Sequence, residues 1–278
     1  MIPAQFAGLC DDAALFPGNA PLSAAVPDHL KYRAAPFSAL VGPFVFPMPQ
    51  LSELFAPAEC LEVSLTAPQG PRTAADAVAQ ASAIDNVTIV AVEVALPPGE
   101  ISLAGLDAVP DGIDVYIEVP RDQRRPAVFE AIGEHGYHAK FRTGGTSADL
   151  YPGETELAAA IYTAVAAGIR FKATAGLHHA IRNTDPATGF EQHGYLNLLW
   201  AAQAAADGAD PADLEVILAL RDPDAVVPAI AALSGSRVFG SFGTCSITEP
   251  LDDLIALGLI RPDPDAVSTT VTTKEYTR

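Results

Sequence analysis

The stretch YHAKFRTGGTSADLYPGETELAAAIYTAVAAGIRFKATAG, residues 137–176, predicts a strand, a helix and a second strand in succession. Its two ends are short runs with alternating apolar residues, and its alanine-rich centre has the spacing of a helix. Gly168 follows the helical segment, and glycine readily adopts the left-handed conformation that ends a helix. Strands joined through one helix in this way pair in parallel, so the stretch is a βαβ unit.

The same alternation extends over most of the chain. Strands are predicted at residues 5–10, 39–46, 60–65, 87–96, 113–119, 137–143, 170–176 and 236–245, and helices at residues 24–35, 72–84, 124–135, 154–167 and 246–258. Eight parallel strands in a chain of this length close most simply into an α/β fold of the (β/α)8 TIM-barrel type. We therefore predict one barrel domain over residues 1–262 and a C-terminal tail over residues 263–278.

The connection between the seventh and eighth strands, residues 177–235, is the longest. It is predicted to hold about three helices, and an insertion at this place is suited to a lid or to a subunit contact in a homo-oligomer. An open, doubly wound sheet is the main alternative fold. The chain has no GxGxxG motif after the first strand, which removes the usual support for a nicotinamide-binding sheet.

Composition excludes several functional classes. A net charge of -18, with one local basic cluster at residues 121–125, disfavours binding to nucleic acid or to an anionic membrane. No apolar run reaches the roughly 18 residues that a membrane span needs. Cys10, Cys60 and Cys245 contain no CxxC pair, which indicates a protein of the reducing cytoplasm without a disulfide framework or structural zinc.

Ionisable residues in the strands of a barrel are tolerated only where they face its centre. Three carboxylates and three cations meet this condition: Glu62, Glu93, Glu118, Lys140, Arg142 and Lys172. An equal number of opposite charges is what a buried polar centre requires, because an unpaired buried charge is very costly. The set is either an internal ion network without chemistry or, at the C-terminal mouth of the barrel, an active site.

Both strand lysines precede glycine-containing turns, and Lys140 and Lys172 are two of only four lysines in the chain. Gly144, Gly145 and Gly176 would let backbone N–H groups approach an anion. The end of the last strand, GSFGTCS, matches the place where many barrels hold a phosphate. The predicted substrate-binding residues are Arg142, Gly144, Gly145, Gly176, His179, Ser241, Gly243 and Thr244.

The segments AKFRTGG (139–145) and FKATAGL (171–177) resemble the two lysine strands of class I aldolases of the deoxyribose-phosphate aldolase type. This resemblance implies that Lys140 forms a Schiff base and that Lys172 tunes it. The chain also resembles, over nearly its full length, a family of bacterial barrel proteins of unassigned function. The stretches DDAALFPGNAPL, AKFRTGG, FKATAGLHH, HGYLNL and FGTCSITEPLDDLIALGLI carry that resemblance, which implies no reaction.

The loop after the seventh strand contains His178 and His179, and His193 follows further along. A general acid or base role for His178 needs only one ring nitrogen near the substrate, so we favour it over metal binding and predict no metal and no cofactor. His193 is predicted to be exposed or to cap a helix. Asp11 and Asp12 are expected to face Cys245 and Ser246 of the eighth strand where the barrel closes. They could bind a metal with Glu62 or orient a base, with at most one facing the centre.

The leading hypothesis is a lyase of the aldolase type that acts on a small anionic carbonyl or sugar-phosphate-like substrate. Lys140 is its nucleophile or electrostatic clamp, since a second cation lowers the pKa of a lysine whereas a tight glutamate pair keeps it charged. The predicted catalytic residues are Lys140, Lys172, Glu118, Glu93, Glu62 and His178. The alternatives are a metal-dependent hydrolase or isomerase using His178 and His179, and a non-catalytic metabolite-binding barrel. Cys245 is predicted to be a small buried thiol.

Overall fold

The computed structural model describes residues 1–16, 20–233 and 238–261, and it shows a closed barrel of eight parallel strands. The barrel strands are β1 (Cys10–Asp12), β2 (Val41–Pro47), β3 (Leu61–Ala67), β4 (Val87–Ala95), β5 (Asp114–Glu118), β6 (His138–Arg142), β7 (Phe171–Thr174) and β10 (Phe239–Thr244). Each strand pairs with its neighbours in sequence, and β10 closes the ring against β1. The predicted (β/α)8 fold is confirmed.

Eight α-helices accompany the strands in the described part of the chain. They are α1 (Leu22–Ala34), α2 (Ala74–Ser82), α3 (Arg125–His135), α4 (Glu154–Ala166), α5 (Tyr195–Ala206), α6 (Pro211–Ala219), α7 (Pro223–Ala231) and α8 (Thr248–Ala256). Gly136 and Gly168, each with a φ of 68°, follow α3 and α4 in the left-handed conformation. None of the helices in the described ranges is long and apolar enough to cross a membrane.

Two connections depart from the regular alternation. The chain forms only short 3-10 helices at Met48–Glu53 after β2 and at Leu106–Ala108 after β4, where a regular barrel would have α-helices. The connection after β2 contains Pro49 and Pro57, the connection after β4 contains Pro97, Pro98 and Pro110, and a proline inside a helix removes one backbone hydrogen bond. The absence of a helical prediction for these two segments therefore agrees with the structure.

The insertion between β7 and β10 contains α5, α6 and α7, together with a hairpin of β8 (Asn183–Thr184) and β9 (Glu191–Gln192). The expected number of helices is confirmed for the described residues; residues 234 and 235 lie outside them. Tyr195 of α5 stacks on Phe242 of β10 with ring centroids 4.8 Å apart, and its hydroxyl donates to the Pro250 carbonyl. Helix α5 is therefore part of the outer layer of the barrel and not a lid.

The first strand differs most from its prediction. Residues 5–10 were expected to be extended, but Ala4–Phe6 form a 3-10 helix and β1 begins at Cys10. All three residues of β1 are buried, but two of them are Asp11 and Asp12, so the sequence has no apolar run that would predict a strand here. The predicted tail, residues 263–278, and residues 236 and 237 of the predicted eighth strand lie outside the described residues.

Candidate active site

A row of alternating charges crosses the interior of the barrel. The Lys172 Nζ lies 2.5 Å from the Asp11 Oδ2 and 2.5 Å from the Glu93 Oε1. The second oxygen of Glu93, Oε2, lies 2.9 Å from the Lys140 Nζ. One carboxylate from β4 therefore bridges the two lysines of β6 and β7, which are direct neighbours in the strand register.

The row continues towards the mouth of the barrel. Lys140 Nζ lies 3.3 Å from Glu118 Oε2, and Arg142 Nε donates to Glu118 Oε1 at 2.8 Å. Glu118 is the last residue of β5 and pairs in register with Lys140. The order is thus Asp11, Lys172, Glu93, Lys140, Glu118 and Arg142, which we call the charged row. It contains three carboxylates and three cations.

Glu62 does not belong to the charged row, and the expectation that it does is wrong. It pairs with Thr88 near the start of β4, whereas Thr66 pairs with Glu93. Four residues of strand correspond to about 13 Å along the chain, so Glu62 lies near the opposite rim. There it forms an ion pair with Arg33 at 2.8 Å, and 43% of its side chain is exposed.

Asp11 supplies the third carboxylate in place of Glu62. Its side chain faces the centre, whereas the neighbouring Asp12 faces α1, where its Oδ2 lies 3.0 Å from the Nδ1 of the buried His29. The prediction that only one of the two aspartates faces the centre is confirmed. Asp11 pairs with Gly243, and Asp12 with Thr244, instead of facing Cys245 and Ser246 as expected.

Exposure increases along the row towards the mouth. Lys172 is 2% exposed and Lys140 is 6% exposed, whereas the Arg142 side chain is 38% exposed. Burial alone would lower the pKa of Lys172, but Asp11 and Glu93 outweigh it and raise that pKa well above its ordinary value. Lys172 is therefore a fixed cation at the closed end, and Lys140 lies between it and the opening.

The carboxylates respond to the same competition between burial and charge. Burial raises the pKa of Glu93, but Lys140 and Lys172 outweigh it and hold that pKa below its ordinary range. The pKa of Glu118 is likewise lowered, because Lys140 and Arg142 outweigh its burial. For Asp11, burial is larger than the attraction of Lys172, so its pKa is raised. Asp11 is thus the carboxylate of the row whose charge is least well compensated.

Two serines fix the carboxylates that hold Lys172. Ser64 Oγ donates to Glu93 Oε1 at 2.7 Å, and Ser241 Oγ donates to Asp11 Oδ2 at 2.7 Å. Sequence reasoning missed Ser64, although it shares the alternation of Glu62 on β3. It also missed Tyr116, whose ring centroid lies 5.1 Å from the Lys172 Nζ and whose pKa is raised to about 12, mainly by burial.

Gly42 of β2 leaves room for the Asp11 carboxylate. A Cβ atom at this position would lie 2.2 Å from Asp11 Oδ1, far inside van der Waals contact. The same oxygen is the buried side-chain atom that has no hydrogen-bond partner among the described residues. The close approach of β2 to β1 therefore depends on a residue without a side chain.

The glycines after β6 and β7 serve chain packing. A Cβ at Gly144 would lie 2.6 Å from the Gly176 Cα, and one at Gly145 would lie 2.3 Å from the Leu150 Cδ1. Gly176 has a φ of 71° and follows Ala175, whose φ of 65° is also left-handed. The space at these glycines is thus filled by the protein itself, and their predicted role in binding an anion stays a prediction that rests on their backbone N–H groups.

The hydroxyl groups around the end of β10 are engaged within the protein. Ser241 donates to Asp11, and the Thr244 hydroxyl donates to the Ser246 carbonyl at 2.8 Å. A Cβ at Gly243 would lie 3.5 Å from Thr174 Oγ1, in ordinary contact. The proposed binding of a charged group by Ser241, Gly243 and Thr244 would therefore have to use backbone groups.

The two loop histidines face helix α8. His178 Nδ1 lies 3.8 Å from Glu249 Oε2, and contacts with Cys245 and Glu249 raise the pKa of His178 to about 10 despite its partial burial. His179 Nδ1 lies 3.4 Å from Asp253 Oδ2. Within the described residues, the ion pairs of both histidines are with α8 and not with the charged row. Cys245 is half-buried and not fully buried as predicted, and it contacts His178, a neighbour that is not evident from the sequence.

His193 is not exposed, which corrects the prediction. It is fully buried, its Nε2 lies 2.8 Å from the Pro152 carbonyl, and its Nδ1 lies 3.2 Å from Arg182 Nη1. Burial lowers its pKa to about 4, so the ring is neutral, donating to Pro152 and accepting from Arg182. It joins the insertion to the start of α4.

Within the described ranges, no group of three or more His, Cys, Asp and Glu side chains is arranged to hold a metal ion. The alternative of a metal site at His178 and His179 thus receives no support from their positions. Comparisons of the chain with protein-family models, with curated proteins and with solved structures gave no match. The chain is therefore identified here by its architecture alone, as a closed (β/α)8 barrel with a row of alternating charges inside it.

Proposed function

We propose that this protein is a lyase of the aldolase type that forms a Schiff base between Lys140 and a small anionic carbonyl compound. The observation that carries the proposal is the sharing of Glu93 by two buried lysines inside a barrel. Each lysine balances a buried carboxylate, and two lysines on neighbouring strands beside one carboxylate also place a second cation next to each amine, which by itself lowers the pKa of that amine. Such an arrangement is typical of a site that must control the charge of an amine.

Lys140 is the better candidate for the nucleophile. Lys172 is held by two carboxylate oxygens at 2.5 Å each, whereas the contacts of Lys140 are longer, at 2.9 and 3.3 Å. Lys140 is also the lysine nearer the exposed end of the row, because its second partner, Glu118, also pairs with the partly exposed Arg142. Lys172 would remain charged throughout the reaction and would disfavour a second positive charge on Lys140.

The proposed reaction preserves the charge of the row. The Lys140 amine gives up one proton, its nitrogen attacks the carbonyl carbon, and water leaves as the C=N bond forms. A protonated Schiff base at this nitrogen is again a cation between Glu93 and Glu118. The row then has the same charge before and after condensation, and the protonated form is the one that draws electrons from the bond to be broken.

Glu93 is the proposed proton carrier. Its Oε1 is held by Ser64 and Lys172, which leaves Oε2 directed at the Lys140 nitrogen. When Lys140 is neutral, one of the two cations that hold down the pKa of Glu93 is lost, so Glu93 becomes a stronger base at that moment. His178 is a less suitable carrier, because it contacts Glu249 of α8 and Cys245.

Borohydride trapping tests the proposal. Purified protein is incubated with a panel of small aldehydes, ketones and 2-oxo acids, reduced, and analysed by peptide mass spectrometry. We expect a reduced adduct on Lys140, its loss in Lys140→Met, and a strongly reduced yield in Glu93→Gln. Lys31→Met is the matched control, since Lys31 is an exposed lysine paired with Asp28. Adducts in equal yield on Lys31 and Lys140, or none on Lys140 across the panel, would overturn the proposal.

We further propose that the reaction takes place in the cytoplasm and that the insertion contributes to a homo-oligomer. The first part is supported by the sequence, whose three cysteines form no CxxC pair. Sedimentation analysis of the purified chain tests the second part, and a monomer at micromolar concentration would contradict it.

A further inference from the structure

The basic segment RDQRR, residues 121–125, has no part in the charged row, yet it lines a cavity beside the mouth. This cavity measures about 270 Å³, including the part that is open to solvent. Arg121, Arg125 and Arg142 line it together with Glu156, and Phe141 and Leu157 contribute apolar wall. We call it the arginine cavity.

The arginine cavity lies outside the barrel wall and is distinct from the charged row. Phe141 precedes Arg142 and follows Lys140 on β6, so its side chain points away from the centre. Phe141 also packs against Phe129 of α3, with ring centroids 6.2 Å apart. The cavity therefore lies between β6 and the helical layer, and Arg142 stands at the border between it and the row.

The cations of the cavity outnumber the carboxylates that compensate them. Arg121 and Arg125 share one carboxylate, with Glu156 Oε2 2.7 Å from Arg121 Nη2 and Glu156 Oε1 2.7 Å from Arg125 Nη2. The partner of Arg142 is Glu118, which also compensates Lys140. A surplus of positive charge is unexpected in a chain whose net charge is -18.

Guanidinium donors remain available in the described part of the chain. Arg125 donates through Nε to the Pro120 carbonyl and through Nη2 to Glu156. Arg142 donates through Nε and Nη2 to Glu118. The hydrogen bonds of the described residues leave Nη1 of both arginines unused. Two such nitrogens can together bind an oxyanion, for which the guanidinium fork has the matching geometry.

We propose that the arginine cavity binds the phosphate or carboxylate group of a small anion on Arg125 and Arg142, with the rest of the anion directed to solvent, because Phe141 and Leu157 are almost fully buried. This site goes beyond the proposed reaction, because its occupancy needs no Schiff base. It also has a consequence for that reaction. An anion that binds Arg142 would compete with its ion pair to Glu118. Glu118 would then pair with Lys140 alone, and this closer carboxylate would favour the charged form of Lys140.

Isothermal titration of the full chain at low ionic strength tests the binding site. The probes are phenyl phosphate, inorganic phosphate and benzoate, which separate the contributions of the apolar group and of the two kinds of oxyanion. We expect saturable binding of one phenyl phosphate per chain, binding of inorganic phosphate with similar affinity because the apolar lining is buried, and roughly tenfold weaker binding of phenyl phosphate to Arg125→Gln. Arg33→Gln is the matched control, since Arg33 is paired with Glu62 near the other rim.

Glu156→Gln gives the sharpest result, because it removes the carboxylate that competes with the ligand. We expect tighter binding of phenyl phosphate, whereas a purely structural cluster would bind no better after the change. Absence of saturable binding to the unchanged protein, equal effects of Arg125→Gln and Arg33→Gln, or weaker binding to a folded Glu156→Gln would each overturn the proposal. Should Glu156→Gln fail to fold, the comparison of Arg125→Gln with Arg33→Gln decides.

These results are separable from those of the trapping experiment. Anion binding without any adduct on Lys140 would refute the lyase and leave the cavity site intact. An adduct on Lys140 without anion binding would support the lyase and refute the cavity site.

Discussion

Replacement of Lys172 by methionine should destabilise the protein strongly, because the change leaves buried carboxylates without their cation. Lys172 is 2% exposed and contacts both Asp11 and Glu93. Glu93 would keep Lys140 and Ser64, whereas Asp11 would keep only the Ser241 hydroxyl. Removing one member of a buried ion pair costs about 3 to 5 kcal/mol, and we expect Lys172→Met to fall in this range.

The cost should depend on pH and on Asp11. In the variant the folded-state pKa of Asp11, already raised by burial, rises further above its unfolded value. A carboxyl with a raised folded-state pKa stabilises fully below its unfolded pKa and loses that contribution as pH rises through the folded pKa. The deficit of Lys172→Met should therefore shrink as pH falls through the raised folded-state pKa of Asp11, by at most about 1.4 kcal/mol per pH unit.

Urea unfolding, followed by the fluorescence of the single tryptophan, Trp200, and by circular dichroism, measures these effects. The double variant Lys172→Met with Asp11→Asn should recover roughly half of the loss at pH 7, because it removes the uncompensated charge. The reasoning is refuted if Lys172→Met costs less than about 1 kcal/mol, or if Asp11→Asn adds its own full cost in the double variant.

Three further changes have distinct expected results. Glu62→Gln should alter the free energy of unfolding, measured by urea denaturation, by less than about 1 kcal/mol, because its pair with Arg33 is half-exposed. A larger loss would indicate that Glu62 is buried. His193→Gln should remove a pH dependence of unfolding. Because burial lowers the folded-state pKa of His193 to about 4, its stabilising contribution is present above about pH 6.5 and is lost as pH falls towards 4, by about 3 kcal/mol; equal slopes for the two proteins would contradict this. Gly42→Ala should lower the melting temperature through its clash with Asp11, at a cost of about 1 to 3 kcal/mol, and an unchanged melting temperature would show that β1 and β2 can separate.

The barrel could be predicted because its signals are local. Alternating apolar runs mark strands, and a glycine such as Gly136 or Gly168 marks the end of a helix. The first strand was misplaced because its residues, Cys10–Asp12, carry two charges and make no apolar run. Only closure of the ring, with β1 between β10 and β2, supplies the partners that make a polar strand of three residues stable.

The membership of the charged row was predictable only in part. A charged residue in the middle of a strand must face inward, which correctly placed Glu93, Lys140 and Lys172 at the centre. The height of a residue along the barrel axis is set by the register between strands, which the alternation of a single strand does not determine. Glu62 therefore lies near the rim and not in the row as predicted, and Asp11, which was not counted among the six row residues, lies beside Lys172.

In the proposed reaction, the neutrality of the charged row would also limit where an anionic substrate binds. A protonated Schiff base at Lys140 would keep the row at three charges of each sign, so a substrate anion inside the row would add an uncompensated negative charge next to Glu93 and Glu118. Placing such a charge in the buried centre would cost several kcal/mol. The anionic group must therefore lie beyond Arg142, where 38% of that side chain is exposed and where Arg121 and Arg125 add positive charge. A carbonyl group that reaches Lys140 must accordingly be joined to its anionic group through a skeleton long enough to pass Arg142, and the shortest 2-oxo acids should be the poorest trapping reagents in the panel.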